Sequence, residues 1–256
     1  MNIVTLISDF GSSNYLVASF KGKLLGSCHD LNIIDITHEI SNFDIAEAAW
    51  VIENVSGSFP PGTVHIVLVN CYYASRMRLL IARKNGQIFI APDNGVLTLV
   101  TENEDLNDCV YSEYSNTPSE MFDIISSLIY RLKNGHEMEE LGKPVETLSR
   151  KISFRPVISN DTIRASVLHI DKFGNIIVNV RKDLFEKTGN GRKFSLYYSP
   201  KDKIDKLCLK YSDVGFGDEL CFFNSAGYLE IAVYMGNASE ILGLSKDSPV
   251  QIVFEV

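Results

Sequence analysis

The sequence predicts two domains: an α/β domain with a mainly parallel sheet over residues 1–150, then a small all-β, barrel-like domain over residues 160–256, with a linker at about 144–160. Three observations carry this expectation. Val64-His65-Ile66-Val67-Leu68-Val69 is an unbroken, β-branched run of the kind found in a strand buried on both faces. Ahead of it, short apolar runs alternate with segments of helical period, the strand–helix–strand order of a parallel sheet covered by helices. From about Ser159 the texture changes to short strands punctuated by turn residues, which suits a small β domain.

Taken in order, Ile3–Ile7 reads as a buried strand ending in Ser8-Asp9-Phe10-Gly11, and Ser12–Asn14 supplies N-cap chemistry for a helix to about Leu25. A carboxylate between a first strand and its helix can bind a ribose diol or a phosphate-coordinating metal, or it can simply cap the helix. Position alone leaves both readings of Asp9 open. Asn32–Ile36 is a second strand, followed by Thr37-His38-Glu39-Ile40, where His38 reads as a structural hydrogen-bonder rather than a metal ligand. Asp44 opens a helix with Ile45, Ala48, Ala49, Ile52 and Val55 on one face, closed by Phe59-Pro60-Pro61-Gly62. The central run stops at Asn70, in a loop expected to carry Tyr72, Tyr73, Arg76 and Arg78. Two more strands follow about the turn Lys84-Asn85-Gly86, and the second enters Ala91-Pro92-Asp93-Asn94-Gly95. Two polar and aromatic loops, each leaving a buried strand, point to a pocket. Pro118 to about Asn134 is a helix with Phe122, Ile125, Leu128, Ile129 and Leu132 inward and Gly135 at its C-terminus, and the acidic stretch Glu102–Asp108 reads as a solvated loop.

In the second half, strands are expected at Thr162–Ile170, Ile176–Val180, Lys193–Tyr198, Leu220–Phe223, Tyr228–Val233 and Val250–Glu255. Turns are expected at Phe173-Gly174-Asn175, Gly189-Asn190-Gly191 and Ser225-Ala226-Gly227. A net charge of −8 and a pI near 5.2 argue against a nucleic-acid partner. No apolar run approaches the ~20 residues of a membrane span, and the N-terminus lacks the basic start of a signal peptide. The five cysteines form an odd set without a C-x-x-C pair, so buried thiols are expected rather than disulfides or a zinc site, in a cytoplasmic protein with no metal.

Ser8-Asp9-Phe10-Gly11, Asp35-Ile36-Thr37-His38, Phe59 to His65, Ala91 to Gly95, Asp171 to Asn179, Asn224 to Ala232, Gly236-Asn237-Ala238 and Leu242-Gly243-Leu244 occur in one order along the chain. In this the chain resembles, nearly end to end, the S-adenosylmethionine hydroxide adenosyltransferases, relatives of fluorinase and chlorinase. The resemblance implies a homotrimer with sites between the N-terminal domain of one subunit and the C-terminal domain of its neighbour. It implies S-adenosylmethionine as substrate or ligand, with no further cofactor. Position by position, it puts Asp9 on the ribose hydroxyls and Phe43 at an aromatic wall. It puts Asp171 near the methionine ammonium, Phe173 and Asn175 beside the adenine, Ser225 near the methionine carboxylate, and the backbone of Asn237 and Ala238 on the adenine.

The catalytic positions depart from the family pattern. Hydroxide-using members carry D-P-G-V-G-S-x-R-R after the central strand, where this chain has Asn70 to Arg78. Their Asp, Arg and His fall on Asn70, Met77 and Glu120. Asn70 lacks the proton affinity of a carboxylate and Met77 the charge of a guanidinium. Glu120 serves as a general base if the fold buries it. Strand alternation turns Arg76 and Arg78 away from the side that Met77 faces. The leading expectation is hydrolysis of S-adenosylmethionine to adenosine and L-methionine by in-line displacement at C5′. The alternatives are a silenced S-adenosylmethionine- or adenosine-binding paralogue and a halide-using relative. Against halide, only Arg83 to Gln87 stands where the fluorinase has a long loop, and Tyr72 and Tyr73 do not match its small hydroxyl residue.

Overall fold

The computed structural model describes residues 2–101, 108–115, 117–151 and 155–255, in two compact units, Met1–Ser153 and Phe154–Val256. The first unit contains β1 (Ile3–Ser8), α1 (Tyr15–Ser27), β2 (Asn32–Thr37), α2 (Ile45–Ser56), β3 (Val64–Leu68), β4 (Arg76–Lys84) and β5 (Gln87–Pro92). It continues through α3 (Val96–Val100), β6 (Cys109–Ser115), α4 (Pro118–Lys133), α5 (Met138–Leu141) and β7 (Lys143–Pro144). Its sheet has the order β2-β1-β3-β5-β4-β6-β7. Pairings β1–β2, β1–β3 and β3–β5 are parallel, whereas β4–β5, β4–β6 and β6–β7 are antiparallel. The sheet is therefore mixed, not mainly parallel as expected. The cause is local: Asn85 and Gly86 both take positive φ (52° and 74°), the two-residue turn that folds β4 back on β5. Strand β6 then lies beside β4, antiparallel to it.

Strand β3 is buried along its whole length, and its side chains alternate between two cores. Val64, Ile66 and Leu68 join Phe20 and Leu24 of α1 and Phe122, Ile125 and Ile129 of α4. Val67 joins Ala48, Ala49 and Ile52 of α2 with Val96, Leu97 and Val100 of α3. The helix starts follow the sequence signals. Asn14 Oδ1 accepts from Leu16 N (3.0 Å) at α1, and Asp44 Oδ1 accepts from Glu47 N (3.0 Å) at α2. Helix α4 has Pro118 and Glu120 in its first turn, Arg131 and Lys133 in its last, and Gly135 (φ 80°) beyond it. Arg76, Met77 and Arg78, expected in a loop, begin β4 instead. Of the expected acidic loop only Asp108 lies among the described residues, with Oδ2 3.5 Å from Arg83 Nε.

The second unit contains β8 (Val157–Ile158), β9 (Thr162–Ile170), β10 (Ile176–Arg181), α6 (Lys182–Gly189), β11 (Phe194–Tyr197) and β12 (Lys203–Ile204). A 3-10 turn (Tyr211–Asp213), β13 (Glu219–Phe223), β14 (Tyr228–Val233), α7 (Ala238–Leu242) and β15 (Pro249–Phe254) complete it. The strands run β12-β11-β15-β9-β10-β14-β13, with β8 on β9, and every named pairing is antiparallel. A parallel bridge from Leu207 to Cys221 brings the two ends together, so the sheet is a nearly closed barrel. Ile163, Val167, Val178, Leu196, Ile231 and Ile252 fill it. Gly189-Asn190-Gly191, expected as a turn between strands, is the turn that ends the unexpected helix α6, where Asn190 adopts φ 48°. That helix was not visible because it is short and is anchored chiefly by Phe185, whose ring meets Phe194, Phe223 and Phe254 edge-on.

All five cysteines are free thiols. Among the described residues, no helix is long and apolar enough to cross a membrane.

His65 lies on β3, fully buried, sharing a 2.7 Å hydrogen bond with Thr5 Oγ1 and flanked by Phe59 and Phe89. Burial, opposed by the Gln87 side chain, pulls its imidazole from the ordinary 6.5 down to about 4. The native state therefore binds this proton less readily than the unfolded chain. The stability contribution is complete above about pH 6.5, falls as the pH drops, and is lost near pH 4, a change of about 3 kcal/mol. Urea unfolding of wild type and His65→Gln across that window is expected to give the steeper loss in wild type; equal slopes would contradict this assignment.

Candidate functional site

The chain leaves β1 for β2 on one side and later enters β3 on the other side of β1. The carboxyl ends of β1 and β3 therefore form a switch point, the place where open α/β sheets bind ligands. Asp9 follows β1 there. Its Oδ2 accepts two backbone hydrogen bonds, from Phe43 N (3.0 Å) and Asn70 N (3.1 Å). Both donors sit at positive φ, 66° for Phe43 and 52° for Asn70, a region that residues other than glycine seldom occupy. One carboxylate oxygen thus pins two unfavourable backbone conformations from two separate loops. The other oxygen, Oδ1, makes no hydrogen bond among the described residues. Asp9 does not cap α1, a task that Asn14 performs.

The Asp9 loop is held from beneath. Ser8 Oγ lies 2.7 Å from His38 Nδ1, and His38 Nε2 lies 3.1 Å from Asp35 Oδ1. Gly11 N donates to His38 O at 2.8 Å. Asp35 is ion-paired with Lys21. Burial pushes the Asp35 carboxyl up, but hydrogen bonds from Lys21 and His38 outweigh it and hold the group below the ordinary carboxylate range. His38 is thus a structural hydrogen-bonder, as its lone position suggests.

The loop after β5 is less available than its composition implies. Asp93 is buried, paired with Arg78 and accepting from Ser149 N (2.9 Å). Arg78 also donates to Thr147 O (2.7 Å), with its guanidinium 5.1 Å from the Tyr111 ring centroid. Asn94 donates to Val69 O (2.8 Å) and to Asn70 O (3.3 Å), supporting the Asn70 turn from the other side. Tyr73 donates to Asp93 O (2.7 Å) and Tyr114 to Cys71 O (2.8 Å), while burial pushes the Tyr72 hydroxyl well above its usual range.

No hydrogen bond joins any two of Asn70, Met77 and Glu120. Asn70 is held through its backbone at Asp9. Met77 is 2 % exposed, opposite Tyr114 in the β4–β6 register and part of the core that includes Phe122. Arg76 and Arg78 lie on the opposite face, as alternation requires. Glu120, whose expected role as a base depended on burial, is exposed in this chain. Its Oε2 accepts from Ser115 N (3.0 Å) and from the Ser115 hydroxyl.

In the second unit, Asp171 organises the turn between β9 and β10. Its Oδ1 accepts from Phe173 N (2.8 Å) and Asn175 N (2.9 Å), and its Oδ2 from Asn175 Nδ2 (2.9 Å). Gly174 (φ 83°) passes so close to Asn237 that a Cβ would lie 1.9 Å from its Oδ1, and Ser239 N donates to Gly174 O (2.9 Å). This contact brings the Phe173–Asn175 turn against Asn237 and Ala238, where Asn237 caps α7 by accepting from Glu240 N (3.2 Å). Phe173 is 78 % exposed and Phe43, in the first unit, 70 %. Ser225 is exposed on the β13–β14 hairpin, whose turn is shaped by Asn224 Oδ1 accepting from Ala226 N and Tyr228 N, both at 3.1 Å. Sequence reading assigned no role to Tyr211 or Glu230, which connect these turns. The available signal was an acid, Glu230, within the otherwise apolar run Leu229 to Val233.

A mixed α/β unit with its loops gathered at a strand switch point, followed by a barrel-like unit with its own polar turn cluster, is matched along most of the chain by known proteins. Residues 4–142 match the SAM hydroxide adenosyltransferase N-terminal domain and residues 165–251 the C-terminal domain. The chain is 31 % identical to an (R)-S-adenosyl-L-methionine hydrolase from Methanocaldococcus jannaschii, over 99 % of this chain and 97 % of the relative. It is 26 % identical to a fluorinase from Actinoplanes sp., over 90 % of each chain. The crystal structure of an uncharacterized conserved protein from Thermotoga maritima superposes with a TM-score of 0.86 at 30 % identity, covering 98 % of this chain and 99 % of that one. The chain belongs to the SAM hydroxide adenosyltransferase family.

Removing the Asp9 carboxylate frees both positive-φ residues at once. Asp9→Ala is expected to cost about 2 kcal/mol in urea unfolding without any ligand, less than the roughly 3 kcal/mol at the low end for two bonds to a charged acceptor because Asp9 is only half-buried. Unchanged stability would mean that the link holds nothing.

Proposed function

We propose that this chain binds S-adenosylmethionine and hydrolyses it to adenosine and L-methionine. The observation that carries the reading is Asp9. Its carboxylate is anchored through Oδ2 at the switch point of the first unit and keeps Oδ1 for a ligand. That oxygen is assigned to the ribose diol, with Phe43 as an aromatic wall. In the second unit, both amide hydrogens of Asn175 are engaged, by Asp171 Oδ2 (2.9 Å) and Tyr211 Oη (3.3 Å). Its Oδ1 is left to accept from the adenine amino group, beside the Phe173 ring and the backbone of Asn237 and Ala238. Asp171 is assigned to the methionine ammonium and Ser225 to the carboxylate.

The chemistry asks little of the leaving group. Water oxygen bonds to C5′ as the C5′–S bond breaks, the sulfur keeps the bonding pair and departs as neutral methionine, and one proton is released. The protein must place a poorly solvated nucleophile in line with C–S. Glu120 is the one carboxylate at the three substituted positions. We assign it to take the proton through Oε1, a role that requires the neighbouring subunit of the trimer proposed below to cover it, since the single chain leaves Glu120 exposed.

We further propose a homotrimer that joins the first unit of one subunit to the second unit of its neighbour. The exposed rings of Phe43 and Phe173 support this, each being left uncovered in the single chain. The five free thiols fit a cytoplasmic setting. The ligand is itself the substrate, and the reading needs no cofactor.

Chromatography of S-adenosylmethionine incubated with the protein is expected to yield adenosine and methionine in equal amounts. Glu120→Gln is expected to lower kcat by about 10²-fold or more with affinity unchanged. A 5′-halo nucleoside, or tight binding without turnover, would replace this reading with a halide-using enzyme or a silenced binder.

A further inference from the structure

A part-buried chain of hydrogen bonds joins the two turns to which the amino-acid end of the ligand is assigned. Glu230, on β14, is 5 % exposed, and both its carboxylate oxygens accept: Oε1 from the Tyr211 hydroxyl at 2.7 Å, Oε2 from Asn224 Nδ2 at 3.1 Å. Each hydrogen in the chain then has a defined direction. Tyr211 has a single proton and gives it to Glu230, so its oxygen is left as an acceptor for Asn175 Nδ2 at 3.3 Å. The second amide hydrogen of Asn175 goes to Asp171 Oδ2 at 2.9 Å. Asp171 Oδ1 is already taken by two backbone N–H groups. What remains to Asp171 is the unused lone pair of Oδ2, and the Asn175 amide sets its direction. On the other side, Asn224 has Nδ2 on Glu230, so its Oδ1 is turned to Ala226 N and Tyr228 N, which shapes the hairpin turn carrying Ser225.

A packed strand does not need this arrangement. Ala232, on the same face of β14, is buried with Leu220 and Phe222, and an apolar residue at Glu230 would extend that surface without the cost of burying a charge. Burial pushes the Glu230 carboxyl up, and the nearby Asp171 carboxylate adds to it, against the hydrogen bonds from Tyr211 and Asn224. Burial and Glu230 in turn keep Tyr211 protonated, well above the ordinary phenol range. Among the described residues neither Asp171 nor Glu230 has a basic partner; Glu230 is satisfied by Tyr211 and Asn224, and Asp171 keeps one lone pair of Oδ2 for a donor from outside the chain.

We propose that Glu230 and Tyr211 are positioning residues that make the site selective for the methionine-bearing nucleoside over the bare nucleoside. They do so by holding the Asp171 carboxylate and the Ser225 turn at the relative placement an α-amino carboxylate requires. The proposal rests on the S-adenosylmethionine reading above.

The test is calorimetry with S-adenosylmethionine and with adenosine on wild type, Tyr211→Phe and Glu230→Gln. Tyr211→Phe keeps the ring contact with Phe222, whose centroid is 4.9 Å away, and removes only the hydroxyl. Glu230→Gln still accepts from Tyr211 but turns an amide toward Asn224. Glu230→Gln is expected to weaken S-adenosylmethionine binding about tenfold or more while adenosine affinity changes less than about twofold; Tyr211→Phe, which also removes one of the two acceptors that hold the Asn175 amide, is expected to weaken S-adenosylmethionine binding by clearly more than adenosine binding. In turnover the loss is expected in KM, with kcat nearly unchanged. Thermal melting of the two variants identifies any that fails to fold, and the other then carries the test. Equal losses for both ligands would reduce the chain to a structural network, and undiminished S-adenosylmethionine binding would remove it from recognition. A wild type that binds neither ligand would overturn the functional reading itself, and this inference with it.

Discussion

The bond pair from Phe43 N and Asn70 N to one oxygen of Asp9 is the constraint on which the rest of the candidate site depends. Left-handed backbone at a phenylalanine and at an asparagine is unfavourable, of order 1 kcal/mol or more each, and persists only where surrounding contacts over-determine it. Here those contacts converge. Asp9 holds both N–H groups, Asn94 holds the Val69 and Asn70 carbonyls, and Ser8 with His38 fixes the base of the Asp9 loop. The loops cannot relax separately, because the same carboxylate belongs to both. If Asp9 binds the ribose diol as proposed, it does so with one oxygen already immobilised, so little order remains to be gained on binding.

The topology explains why this carboxylate stands where it does. β1 lies between β2 and β3, with α1 covering one face of the sheet and α2 the other. The connections after β1 and before β3 diverge, and Asp9 and Asn70, which follow the ends of these strands, are half-buried. The antiparallel half of the sheet, β4 with β6, presents Met77 to the core, where Tyr114 and Phe122 surround it. That placement leaves Asp9 and the neighbouring Asn70 turn as polar groups at the switch point.

Much of the fold was legible because its signals are local. Asn14 and Asp44 cap the helices they precede, β3 is an unbroken apolar run, and Met77 alternates inward between Arg76 and Arg78. The pairing of β4 and β6 was not legible, since the direction of a strand is set by a partner distant in sequence. Nor was α6, where one phenylalanine replaces a periodic stripe. At the site, the position of Asp9 after β1 was readable, but its partners were not. Nothing in the residues Ser41 to Asp44 signals a phenylalanine at positive φ. Glu230 stood out as an acid in an apolar strand, yet its link to Asn175 runs through Tyr211, which sits in an irregular segment with no motif of its own.

The central claim is that water attacks the ribose 5′ carbon of S-adenosylmethionine. Turnover of S-adenosylmethionine in ¹⁸O-enriched water, followed by mass spectrometry of both products, tests it most directly. The account predicts one labelled oxygen in the 5′-hydroxyl of each adenosine and none in methionine. Adenosine formed without label, or no adenosine at all, would contradict it.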